Sequence, residues 1–82
     1  MLQYKSIIVS DFGGIIIMVN YKKLWVLLAQ KGMSKAQLRK EADISSATLT
    51  KLNKNEIVAL IVLVKICKVL GCDLGDIIEV VK

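Results

Sequence analysis

From Asn20 onward, residues that cap helices and glycines that end them alternate at short intervals, and the chain contains no proline. That punctuation restricts the chain to short helices joined by tight turns. Asn20 can cap a first helix over about residues 20–31, with Tyr21, Leu24, Trp25, Leu27 and Leu28 as its inward face and Gly32 as the left-handed residue that ends it. In "SKAQ", Ser34 is placed to cap a second helix and Gln37 to return a bond to the cap's own amide, a capping box. Leu38 and Ala42, one turn apart, form the buried side of that helix. Ser45 can cap a third helix over about 46–53, seated by Leu49 and Leu52, which leaves Ser46, Ala47, Thr48, Thr50 and Lys51 outward. A fourth helix, roughly 58–70, is stopped by Gly71, and Asp73 caps a short fifth one carrying Leu74, Ile77, Ile78 and Val81. The expected fold is all-α, a compact five-helix domain.

A chain of 82 residues can build one hydrophobic core. Its hydrophobic content of 55% and mean hydropathy of +0.58 argue against disorder. The longest apolar run, 57–64, is ended by Lys65, far short of the roughly 20 residues a membrane span requires. In the N-terminal "SIIVSDFGGIII", Asp11 interrupts the apolar region and no small-residue cleavage site follows, so it reads as neither a signal peptide nor an anchor. With no histidine and two cysteines, Cys67 and Cys72, a metal site lacks its usual ligands, and no cofactor is expected. Both thiols read as reduced and structural, which suits the cytoplasm. The missing histidine also removes the commonest general base, and the carboxylates are scattered over helix surfaces, so an enzyme is disfavoured.

The net charge of +5 becomes informative once it is divided along the chain. Residues 1–17 are neutral and residues 55–82 sum to −1. Between 18 and 54, Lys22, Lys23, Lys31, Lys35, Arg39, Lys40, Lys51 and Lys54 face only Glu41 and Asp43, an excess of +6. A phosphate backbone would find that block first, although lysines that merely solvate helix faces would look the same.

Helix two, a tight turn and helix three together reproduce the helix-turn-helix pattern, with Leu38, Ala42, Ile44, Leu49 and Leu52 as its seating residues. Reading of DNA then falls to the outward N-terminal half of helix three, which can enter the major groove. Ser46 and Thr48 can hydrogen-bond base edges, Ala47 and the Thr48 methyl can touch a thymine methyl, and Lys51 can reach guanine or phosphate. None has the bidentate geometry of Arg, Gln or Asn, so modest base specificity is expected, supported by phosphate contacts from Lys35, Arg39 and the "NKN" turn, Asn53, Lys54 and Asn55.

The stretch "MVNYKKLWVLLAQKGMSKAQLRKEADISSATLTKLNKNE", continued by "VLVKICKVLGCDLGDIIEVV", resembles the Cro and phage-repressor type (XRE-like) of helix-turn-helix transcriptional regulator, in its small single-domain form. The likeness runs from Met18 to the end and is most specific in "KGMSKAQL", "ISSATLTKL" and "VLVKICKVLGCDLGDII". It implies a five-helix Cro/repressor-like fold, double-stranded operator DNA as ligand, frequent homodimers and no enzymatic activity. On that resemblance Lys35 stands where the family usually has a phosphate-contacting Gln, and residues 45–51, including Ser45 and Thr50, fall on the recognition helix.

Three departures stand out. Asp43 replaces the usual turn glycine, which Asp tolerates because it enters the left-handed region more readily than most residues. Arg39 replaces a small residue and is expected to face the DNA. In "NEIVALIVLVKIC", Ala59, Leu60 and Ile61 occupy positions that are commonly polar in the family. They read either as a homodimer interface or as a rearranged core with incidental surface apolar residues. The opposing function is a protein-binding module that docks a partner on the apolar 57–64 surface, and a third reading is an antitoxin that binds both DNA and a toxin.

Trp25 reads as core filling for helix one, with base stacking a remote second role, and Cys67 as a small core residue. Lys22 and Lys23 read as solvent charges. Residues 1–17 form an N-terminal extension to the 18–82 domain, with two explanations. "KSIIVS" and "GIIIMV" around "DFGG" carry a β-hairpin signal and could make a dimer arm. Alternatively, codons for the two glycines and three isoleucines would spell a ribosome-binding site and spacer before Met18, making the segment a translated leader.

Overall fold

The structure, a computed structural model, describes residues 7–8 and 16–81, with side chains from Met18 onward. Its elements run β1 (Ile7–Ile8), β2 (Ile16–Ile17), β3 (Val19–Asn20), α1 (Lys22–Lys31), α2 (Lys35–Glu41), α3 (Ser46–Asn53), α4 (Leu60–Leu70), a 3-10 turn (Leu74–Asp76) and β4 (Glu79–Val80). β1 pairs antiparallel with β2, Ile7 opposite Ile17 and Ile8 opposite Ile16. The "DFGG" residues expected to turn that hairpin lie outside the described residues.

The expected helix boundaries hold where a local capping motif sets them. Ser34 Oγ accepts the Gln37 N–H at 3.0 Å and Gln37 Oε1 accepts the Ser34 N–H at 3.4 Å, which completes the capping box at the start of α2. Ser45 Oγ accepts the Thr48 N–H at 3.1 Å and starts α3 at Ser46. Gly32 and Gly71 end α1 and α4 with φ of 67° and 66°, the left-handed conformation that only glycine adopts without steric cost. Asp43, in the place of the usual turn glycine, also takes a left-handed φ of 54°.

Two starts move. α1 begins at Lys22 rather than at an Asn20 cap, because Asn20 lies in β3 and its Oδ1 accepts the Lys22 N–H at 3.2 Å. α4 begins at Leu60 with no side-chain cap on Ala59, since the β-branched Ile57 and Val58 extend the chain ahead of it.

The five-helix, all-α expectation is corrected, among the described residues, to four α-helices and two small two-stranded sheets. Past Gly71, Asp73 opens only the three-residue 3-10 turn, with its N–H donated to Asp76 Oδ2 at 2.9 Å. The β-branched run Ile77, Ile78, Val80 and Val81 then prefers extended backbone, and β3 supplies it with a partner. Val19 pairs with Val80, Asn20 pairs with Glu79, and the Val81 N–H donates to the Met18 carbonyl at 3.0 Å. Of the residues expected on the fifth helix, Leu74 is exposed and Ile77 is fully buried.

All four helices and β3 face one core. Tyr21, Leu24, Leu38, Leu52, Ile66 and Ile77 are its most deeply buried side chains, joined by Val19, Leu28, Ala42, Ile44, Leu63, Cys67 and Leu70. Leu→Ala at such a site typically costs about 2–5 kcal/mol, so the helix-turn-helix is held by packing and not by propensity alone. Burial pushes the Cys67 thiol up to about 11, helped by neighbouring Cys72, Asp73 and Asp76, and both cysteines are free.

Candidate nucleic-acid interface

α2 and α3 are joined by a turn that Ile44 anchors in the core, and Ala42, 3% exposed, leaves room for the two helices to approach closely. The turn is tied down by the Ile44 N–H donating to the Arg39 carbonyl at 3.1 Å and by the Lys65 ammonium donating to the Asp43 carbonyl at 3.4 Å. Leu52 is fully buried and Leu49 half-buried, which fixes the rotation of α3 about its own axis. The face left over is defined by that anchoring.

Ser46, Ala47, Thr50 and Lys51 are exposed on α3, and Asn53 and Lys54 are exposed at its end. Thr48 sits differently from the outward position expected of it: it is half-buried, and its Oγ1 accepts from the Ser45 hydroxyl at 3.0 Å. Ser45 itself is occupied in capping α3. The Thr50 hydroxyl donates to the Ser46 carbonyl at 3.0 Å, which commits that donor to its own helix. The free hydroxyl chemistry of the exposed face is therefore concentrated at Ser46, on a helix that also exposes Ala47 and Lys51.

Around this face the basic side chains are arranged unevenly. Lys35, the first residue of α2, is exposed, with its ammonium 4.0 Å from the centre of the Trp25 ring and 2.7 Å from Asn53 Oδ1. Arg39, expected to point outward, is half-buried. Trp25, read from the sequence as core filling, is half-buried against the core, with one face of its ring under a cation.

Asn55 departs furthest from its expected role at the surface. Its φ of 59° makes it a left-handed turn residue, and its Oδ1 accepts the Tyr21 N–H at 3.1 Å, across the domain. Tyr21 is wholly buried, and its phenol donates to the Glu56 carbonyl at 2.6 Å. Burial raises its pKa from the ordinary 10.0. The "NKN" turn thus holds the start of α1 with its last residue and presents Asn53 and Lys54 with the others. Asn is the residue that tolerates the left-handed region and accepts through a short side chain, which is the signal that could have marked Asn55 as structural.

At the start of α4 the surface changes character. Ile57, Leu60 and Ile61 are 50%, 62% and 59% exposed, and Ala59 is exposed beside them, whereas Leu63 is buried and Val58, Val62 and Val64 are half-buried. The rearranged-core reading of Leu60 and Ile61 is therefore set aside, since neither enters the core. Among the described residues, no helix is long and apolar enough to cross a membrane.

The arrangement has counterparts among known proteins. The chain is similar to the crystal structure of the transcriptional regulator VanUg, Form II, at 41% identity and a TM-score of 0.78, over 99% of this chain and 95% of that one. Among curated proteins, none matches. A family model described as a Cro/C1-type HTH DNA-binding domain matches residues 23–82, all of the helical part but the first residue of α1. With the anchored α2–α3 pair in place, this chain belongs to the Cro/C1-type helix-turn-helix DNA-binding family.

Proposed function

We propose that the chain is a sequence-specific transcriptional repressor that acts in the cytoplasm and inserts α3 into the major groove of double-stranded operator DNA. The observation that carries this reading is the exposed α3 face, in which Ser46, Ala47 and Lys51 project from a helix whose other side is locked into the core. Ser46 serves either hydrogen-bonding sense at a base edge, Ala47 favours a thymine methyl, and Lys51 favours guanine or phosphate. Lys35, Arg39, Asn53 and Lys54 supply contacts to the backbone, which fix register without reading sequence.

Anisotropy on a labelled duplex from upstream of the chain's own coding sequence tests this, against a duplex of mixed sequence. With about four phosphates neutralised per protomer, affinity should fall about 100-fold between 50 and 200 mM salt, and the upstream duplex should bind more tightly. Absent or salt-insensitive binding at low ionic strength refutes the reading.

The same reading includes a homodimer joined through Ala59, Leu60 and Ile61, because contiguous apolar side chains exposed this far on a small domain mark an interaction surface. Two copies of α3 would then address two half-sites. Sedimentation of the wild type should show self-association that Leu60→Lys abolishes. If both sediment as monomers, the apolar surface belongs to a different protein partner.

A further inference from the structure

We propose that Trp25 is a positioning residue for DNA: its ring holds the Lys35 ammonium where it meets a phosphate of the DNA backbone. The inference rests on the DNA-binding reading above and assigns a task to a residue of α1, outside the helix-turn-helix itself. A lysine side chain has four rotatable bonds, and confining its charge on binding ordinarily costs conformational entropy. Here much of that ordering is already present in the folded chain. The ammonium lies 4.0 Å from the Trp25 ring centre on one side and 2.7 Å from Asn53 Oδ1 on the other.

An ammonium has three N–H donors. One is donated to Asn53 and one is directed at the ring, which leaves a third for an incoming acceptor. The location selects the acceptor. Lys35 opens α2 and Asn53 closes α3, so the pair flanks the exposed α3 face at its edge, where the sugar-phosphate backbone runs when that helix occupies the groove. Base stacking by Trp25 fits less well, because the ring is half-buried and one face is already covered by the cation. The Asn53 amide N–H groups stand beside the same position and can donate to the same phosphate.

The test is a double-mutant cycle on a mixed-sequence duplex at low salt, in which phosphate contacts dominate. Lys35→Met, which removes both the charge and the donor, should weaken binding about tenfold and shallow the salt slope by about 0.9. Trp25→Leu should weaken it about 2- to 5-fold, the range expected for an exposed cation–π contact, and Trp25→Phe should restore most of the loss. The double variant should bind no more weakly than Lys35→Met alone. Effects that multiply in the double variant overturn the proposal. A second measurement uses a chain with α1 intact: Trp25 is the single tryptophan, so its emission reports the ring's own surroundings. Saturating DNA should shift that emission in the wild type and much less in Lys35→Met, and equal shifts in both overturn the proposal. If the wild type fails to bind any duplex, both this inference and the DNA-binding reading fall; binding without coupling removes this inference alone.

Discussion

The exposed face of α3 and the exposed start of α4 lie a few residues apart in sequence and are built on opposite principles. On α3, small polar side chains and a lysine project from a helix whose cap, at Ser45, and whose inward anchor, Leu52, leave little freedom. At α4, Ala59 caps the helix without a side-chain hydrogen bond, and Leu60 and Ile61 face solvent with nothing polar between them. The first surface keeps its hydration and its charge, so a partner must be polar and negatively charged. Water is a poor neighbour for the second, so its partner must be apolar. On the function proposed above, one small core thus supports two surfaces that answer to different variables: ionic strength for α3, protein concentration for α4.

Independent failure of the two surfaces is the sharpest test of that contrast. Ala47→Glu places a negative charge on the α3 face at an exposed position, and it should weaken DNA binding more than tenfold while sedimentation stays unchanged. If Ala47→Glu also alters self-association, the two surfaces are one. A smaller effect is expected at the turn between them. Asn55→Ala removes the acceptor of the Tyr21 N–H and leaves a non-glycine residue at positive φ, so urea unfolding should show a loss of about 1–2 kcal/mol. Asn55→Gly removes the same acceptor without the backbone strain and should lose less; equal losses would assign the whole effect to the hydrogen bond.

The smallest effect is one of pH, and it belongs to the core behind both surfaces. Cys67 has its thiol pKa raised from 9.0 to about 11, so the folded chain holds that proton more tightly than the unfolded chain does. Stability is therefore unaffected by this group below pH 9 and declines as pH rises from 9 through 11. Cys67→Ala should be less stable than the wild type at neutral pH and lose less stability over that alkaline window. An identical alkaline decline in both proteins would assign it to Tyr21, whose pKa burial also raises.

How much of this was legible in advance depended on the range of the interaction. The capping box at Ser34 and Gln37, the Ser45 cap and the glycines at 32 and 71 act within a single turn of helix, so the motif alone places α2 and α3 correctly. The fifth helix was misjudged because Asp73 is a valid cap, and nothing local says that the chain after it will find β3. Lys35 was legible as a basic residue in the first turn of α2, but its placement over Trp25 was not, since the periodicity of α1 marks Trp25 only as apolar. Asn55 reads as a phosphate contact of the "NKN" turn, and its bond to the Tyr21 N–H was not legible for the same reason: Tyr21 is 34 residues away.

By itself, the sequence determined the helices of the DNA-binding motif, the left-handed turn at Asp43 and the concentration of positive charge between residues 18 and 54, because propensity, capping and charge are properties of neighbouring residues. Tertiary structure alone decided that the chain closes with a strand, that Asn55 braces α1, that Leu60 and Ile61 stay in solvent and that Lys35 rests on Trp25. Each of those outcomes depends on which distant surface the core brings alongside, and in a domain with a single core that choice is made collectively by its packing.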